Sequence, residues 1–210
     1  PDALEILLKP VVDDFSIELV VGGCFAVDAS GEKRYRSMPA LKPGKRENFQ
    51  AYLESKISIS HGRFIVKREF FDQVHYPADF RCSEDISVFA SLFARCKALA
   101  VDCPVAVIFH HRDSLRNNHG YILEVGLRVV DAVFDERLLP ADFFEFRSAF
   151  RVRRCLSVFR SLYRVGDYKS AERFYHLAIR ESFFAIFKWS CFSKYFRMQL
   201  KNIFMKEVGQ

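Results

Sequence analysis

The chain has no apolar run that approaches the thickness of a bilayer. Near the C-terminus the longest is Phe183-Phe184-Ala185-Ile186-Phe187, against the roughly 20 residues a spanning helix needs, so no transmembrane helix is expected. Nor does the start read as a secretory signal, since Pro1-Asp2-Ala3-Leu4 has neither a basic opening nor a long apolar stretch. The six cysteines (24, 82, 96, 103, 155 and 191) form no Cys-x-x-Cys and keep no regular spacing. A chain of this size needs no covalent staples, so free thiols in a reducing, cytoplasmic compartment are expected. There is no internal repeat and no low-complexity tract. Acidic residues are scarce in one region only. From Glu145 to Gln210 there are 14 Lys and Arg against 5 Asp and Glu, a net of +9, while residues 1–144 carry 18 against 21, a net of −3. A near-neutral first part joined to a basic tail suggests two jobs.

What is present is ample apolar material. Of the 210 residues half are hydrophobic and 23 are Phe, enough for one large domain or one domain with a helical appendage. Pro1–Val12 reads as a helix, with Pro in the first turn and Leu4, Leu7 and Leu8 at helical spacing. Ile17–Val21 reads as a strand reaching Gly22-Gly23, where a turn or a close ligand is expected. Phe25–Val27 extends the sheet, and Asp28–Glu32 is the following turn. Residues 38–46 read as a surface loop, Glu47–Glu54 and Arg68–Gln73 as short helices, and Gly62–Lys67 as a strand. Ser83 is the expected N-cap of a helix through Cys96, with Asp85 at its second position. Strands are expected over Ala98–Val101 and Val105–Phe109, parted by Cys103-Pro104, and a helix over Tyr121–Phe134. From Ala141 onward nothing resembles a strand, and helices break near Gly166-Asp167 and Ser190. The expected class is α/β over residues 1–120, followed by a helical appendage over 121–210.

Three features carry chemistry, and each also has an ordinary structural reading. Glu84 and Asp85 open a helix, where two acids favour the dipole by some 0.3–1 kcal/mol each; a carboxylate aimed from that place can also take a proton from a substrate hydroxyl. Ile86, Phe89, Ala90 and Phe93 begin the buried face that would anchor it. The run His110-His111-Arg112-Asp113-Ser114-Leu115-Arg116-Asn117-Asn118 lacks a partner at metal-ligand spacing, and reads as surface or as an anion-binding, closing loop. The tail alternates Arg147, Arg151, Arg153, Arg154, Arg160 and Arg164 with aromatics, then mixes Phe183–Phe196 with Lys188, Lys194, Arg197 and Lys201. Its readings are a packed amphipathic helix pair or attachment to an anionic membrane surface. Nucleic acid is not expected, because no recognised motif accompanies the charge.

Taken in order, Pro1-Asp2-Ala3-Leu4-Glu5, Leu19-Val20-Val21-Gly22-Gly23, Gly62-Arg63-Phe64-Ile65-Val66-Lys67-Arg68, Ser83-Glu84-Asp85-Ile86 and His111-Arg112-Asp113-Ser114-Leu115-Arg116 resemble family 2 glycosyltransferases, inverting enzymes of the GT-A fold. The Glu-Asp pair is the most specific of these stretches. The resemblance implies that Asp85 is the catalytic base and that Glu84 positions the acceptor. It implies a diphosphate-binding loop with His110, His111, Arg112, Ser114 and Arg116, with His110 or His111 as candidates to reach a metal. Gly22, Gly23, His61, Gly62 and Arg63 would line acceptor and sugar pockets. The family's nucleotide-binding half and its Asp-x-Asp metal motif would lie upstream, and no Asp-x-Asp occurs here. The chain is therefore expected to be the C-terminal portion of a longer enzyme, inactive as written, whose complete form uses Mg²⁺ or Mn²⁺ against the departing diphosphate.

The expected function is transfer of a sugar from a nucleotide-sugar donor to a glycan or lipid-linked acceptor in polysaccharide or lipopolysaccharide synthesis. The basic helices would hold the enzyme peripherally at the inner face of the cytoplasmic membrane. The rival from another class is a non-enzymatic α/β module that binds a membrane surface or a partner protein.

Overall fold

Leu19–Val27 (β1), the run Leu-Val-Val-Gly-Gly-Cys-Phe-Ala-Val, is buried along almost its whole length, as expected of a strand covered on both faces. In the computed structural model, which describes residues 2–110 and 119–207, every other strand of the sheet pairs with it. Lys33–Arg36 (β2) and Phe64–Val66 (β3) run antiparallel to β1, meeting its second and first halves respectively. Ala98–Phe109 (β4) runs parallel to it from Leu19 to Val27. A strand has two edges, so β4 takes one, and β3 and β2 share the other end to end. The chain is thus mixed α/β, with a small open sheet.

Helix Ala3–Asp13 (α1) covers one face. Leu7 and Val11 meet Ile17, Val20, Ile65, Leu99, Val101 and Val105. Alternation sends Leu19 and Val21 to the other face, where Phe64, the register partner of Val21, meets Phe89 edge-on at 5.6 Å. Phe89 belongs to Asp85–Arg95 (α3), buried from Ser87 to Ala94. Lys45–Leu53 (α2) lies against α3, its Tyr52 ring 5.5 Å from Phe93. Phe49 of α2 is fully buried between Phe134 and Phe143, met edge-on at 6.1 and 5.0 Å. Buried Asn48 ties down the preceding loop, exchanging hydrogen bonds with the Lys42 N–H and C=O at 2.8 Å each. The segment expected as a short helix after β3 is a 3-10 turn, Arg68–Asp72.

Two expectations change here. The chain does not turn at Gly22-Gly23; β1 runs straight through, because the glycines leave room for packed neighbours. A Cβ on Gly22 would lie 2.4 Å from Val105 Cγ2, and one on Gly23 would lie 2.7 Å from the Tyr35 hydroxyl. Nor do two strands flank Cys103-Pro104. They are one strand with a bulge, its register jumping from Gly22↔Val101 to Gly23↔Pro104 and again before Cys24↔Ala106. Pro104 has no N–H to give a ladder, and a bulge is where a strand tolerates that. Tyr35 braces the bulge, its hydroxyl donating to Asp102 Oδ1 at 2.6 Å; the bond, followed by burial, pushes the phenol up to about 12.

The described residues fall into two compact units, one of Pro1–Asn117 with Ala132–Phe144 and one of Asn118–Asp131 with Glu145–Gln210. The helix expected over Tyr121–Phe134 is two, His119–Val125 (α4) and Arg128–Val133 (α5), broken at Gly126. After a 3-10 turn at Ala141–Phe146 comes Arg147–Val165 (α6), then Tyr168–Glu181 (α7), packed as a hairpin. Gly166, at φ 83°, ends α6, and Asp167 caps α7 by accepting from Ser170 N–H at 3.1 Å. The later break spans Ser182–Lys188 and holds the 3-10 turn Phe183–Phe187; Trp189–Glu207 (α8) follows, so Ser190 lies inside a helix. No described helix is long and apolar enough to cross a membrane. All six cysteines are free, and only Cys103, on the bulge, is exposed.

Candidate active site around Asp85

The backbone before α3 is held in an unusual state. Ser83 has φ 62°, in the left-handed region that costs a non-glycine residue about 1–2 kcal/mol. Such strain concentrates at sites where geometry is over-determined. It also corrects the expected cap. A Ser N-cap needs extended backbone to turn its hydroxyl onto the first amides. Here the hydroxyl meets Cys82 Sγ at 3.9 Å instead, Glu84 takes the cap position without a side-chain bond, and Asp85 is the first helical residue rather than the second.

Asp85 is half-buried. Burial pushes its carboxyl above the ordinary range, and the adjacent Glu84 charge pushes the same way; His61 and the backbone amides of Asp85 and Ile86 restrain the rise. The exposed His61 ring is flanked by Tyr76 at 5.5 Å and Phe89 at 5.2 Å. Phe89 therefore ties His61 to the buried face of α3. Burial, then Asp85, raises the Tyr52 phenol; burial, then Asp85 and Glu84, raises that of Tyr76. Tyr52 donates weakly to Ile86 C=O at 3.5 Å. Chemically this is a partly desolvated base with a second carboxylate, an imidazole and two protonated phenols within electrostatic reach.

A cleft of about 540 Å³ adjoins this group through Tyr76. Its polar lining includes Ser87 and Ser91, neighbours at one face of α3 and both buried. Asp135 and Arg137 also line it; the guanidinium forks onto the carboxylate, with Nη2 at 2.6 Å from Oδ2, and holds it below its ordinary range.

The structure thus brings Asp85, Glu84 and His61 together. Gly22 and Arg63 form a separate pair: Arg63, 4% exposed, donates from Nε and Nη2 to Gly22 C=O at 3.0 and 2.8 Å, while Gly22 N–H donates to Arg63 C=O. Arg63 therefore acts as a strut between β1 and β3. Gly23 lies beside the β4 bulge, and Gly62 is exposed next to His61. His110 directly follows β4, its N–H bonded to Val27 C=O at 2.8 Å. His111, Arg112, Ser114 and Arg116 lie outside the described residues. Tyr52 and Tyr76 were missed in the sequence, because nothing local links position 52 or 76 to position 85. Among the described residues no group of three or more His, Cys, Asp or Glu could hold a metal ion. Compared with known proteins, the chain matches no family model and no curated sequence.

Proposed function

We propose that this chain carries the acceptor side of an inverting GT-A glycosyltransferase of family 2, with Asp85 as the general base. The observation that carries the reading is the raised, half-buried carboxylate of Asp85 at a strained helix start, beside Glu84 and His61. A base lifted toward neutrality matches the proton it must accept better than an ordinary surface carboxylate does. The acceptor hydroxyl gives its proton to Asp85 as its oxygen bonds to the anomeric carbon. On the opposite face the bond from that carbon to the diphosphate oxygen breaks, so the configuration inverts and the nucleoside diphosphate leaves with the electron pair. Glu84 orients the hydroxyl. The cleft lined by Tyr76, Ser87 and Ser91 is the seat for an acceptor sugar. In this reading the diphosphate side is assigned to the run His110–Asn118, and Mg²⁺ or Mn²⁺ would supply counter-charge to the leaving diphosphate.

The test is nucleoside diphosphate release from a panel of sugar nucleotides, with glycan and lipid-linked acceptors and Mg²⁺ or Mn²⁺, by the protein that carries this chain. One donor should turn over, and Asp85→Asn should lower kcat by about 10²–10⁴-fold. A folded protein that turns over none, or an Asp85→Asn variant as fast as the parent, overturns the reading. The second reading, a surface-binding module, is favoured by the exposed aromatics of residues 183–200.

A further inference from the structure

Aromatic side chains normally finish inside, and α6 obeys: Phe150 and Phe159 are buried. The basic, aromatic pattern of that helix is therefore an ordinary packed face. Residues 183–189 do the opposite. Phe183 is 66% exposed, Phe184 77%, Phe187 70% and Trp189 75%. The Phe183 and Phe184 rings each lie 6.3 Å from Phe187, so they form one cluster. Buried Ala185 anchors the turn that presents them.

Helix α8 continues this surface. At about 100° per residue, Cys191, Tyr195 and Met198 share one side. That side is packed: Cys191 and Met198 are buried, and Tyr195 stacks on Tyr175 at 4.3 Å. Trp189, Phe192, Phe196 and Leu200 fall on a second stripe roughly 140° away, and all four are exposed. Phe192 lies 6.0 Å from Trp189 and 6.5 Å from Phe196. A surface helix needs one apolar stripe for its fold; this one has a second, facing solvent.

The charge carried by the segment itself has one sign. Residues 183–200 contain Lys188, Lys194 and Arg197, and no Asp or Glu. A second copy meeting this patch with its own would set cations against cations. A bilayer with anionic headgroups complements both features, taking the rings to headgroup depth and pairing the cations with phosphates.

We propose that the Phe183–Phe187 turn and the outer stripe of α8 insert shallowly into an anionic phospholipid surface. The inference goes beyond the glycosyl-transfer reading and does not depend on it, since Asp85 belongs to the other unit. Trp189 is the sole tryptophan, so its emission reports this surface directly. Mixed with vesicles of phosphatidylcholine containing about a third phosphatidylglycerol, the protein should show a blue shift and quenching by brominated acyl chains. Phe184→Ser with Phe187→Ser should weaken vesicle binding about tenfold. Reversing the exposed Lys188 and Arg197 to Glu should weaken it on the order of a hundredfold, and high salt should act the same way. These side chains are solvent-facing, so the variants should keep the parent's circular dichroism and Tm. No spectral response from the folded parent overturns the proposal. So does equal binding to pure phosphatidylcholine with no loss on charge reversal, and so does a lipid-free, concentration-dependent blue shift, which would assign the patch to a second copy. Asp85→Asn should bind vesicles like the parent whatever the catalytic assay returns.

Discussion

A carboxylate serves as a base near neutrality only if it is lifted from its ordinary range and still ionises. At Asp85 burial and Glu84 supply the lift, and His61 limits it. The two neighbours should therefore move the acidic limb of the kcat/KM profile in opposite directions: down in Glu84→Gln, up in His61→Gln. Limbs that both stay fixed would remove Asp85 from the rate law. The same lift has a thermodynamic sign. Folded Asp85 keeps its proton to higher pH than the unfolded chain does, so ionisation above that point costs the folded state. Asp85→Asn avoids the cost and should raise Tm at pH 7, with the gain shrinking as pH falls through the folded value toward the ordinary carboxylate range. A thermal-shift series from pH 3 to 8 checks it; a Tm lowered at pH 7 would contradict it. The Glu84-Asp85 pair was legible in the sequence because adjacent acids at a helix start form a local pattern. His61 was legible only through the family resemblance, and Tyr52 and Tyr76 not at all, because their meeting with Asp85 is made by α2, α3 and the loop at 76, not by spacing.

At the scale of elements, α2 ends on a Schellman pair, Lys56 N–H to Ala51 C=O and Ser55 N–H to Tyr52 C=O. The residue that must turn left-handed there is Ser55, at φ 60°. The same arrangement closing α6 has Gly166, where the backbone adopts that shape at no steric cost. Ser55→Gly should stabilise by about 1 kcal/mol, a Tm rise of about 2–4 °C for a chain of this length; an unchanged or lower Tm would mean the serine is not strained. The main helices were readable from apolar spacing and, at Gly166-Asp167, from a stop beside a cap. β2 was not, since Lys-Arg-Tyr-Arg is exposed at every position and has no alternation to detect. It is a strand because Asp28 Oδ1 gathers the N–H groups of Ser30 and Glu32 and folds the chain back onto β1. Pro104 was read as a divider for a sound local reason, and only the ladder to β1 shows that a bulge absorbs it.

Across the whole molecule, the basic C-terminal part holds two kinds of aromatic residue that composition alone does not separate. Those of α6 fill a core, whereas Phe183, Phe184, Phe187, Trp189, Phe192 and Phe196 face water. The units also differ in how far apart in sequence their contacts lie. The hairpin of α6 and α7 joins neighbours in sequence, whereas Leu19 meets Ala98, 79 positions later. Because every described strand pairs with β1 and its longest ladder is the most distant one, the sheet can close only after a long loop has been gathered, an entropic toll that slows folding. Pulse-labelling hydrogen exchange should find amides of α6 and α7 protected first during refolding, with Val20–Ala26 following together with Leu99–Ile108. At equilibrium those β1 amides should exchange slowest in their unit. If β1 gained protection as early as α6, the rate-limiting event would lie elsewhere. A single strand with both edges occupied thus sets the clock for the larger unit: residues 19–27 should be the last to find their partners and, once paired, the last to let go.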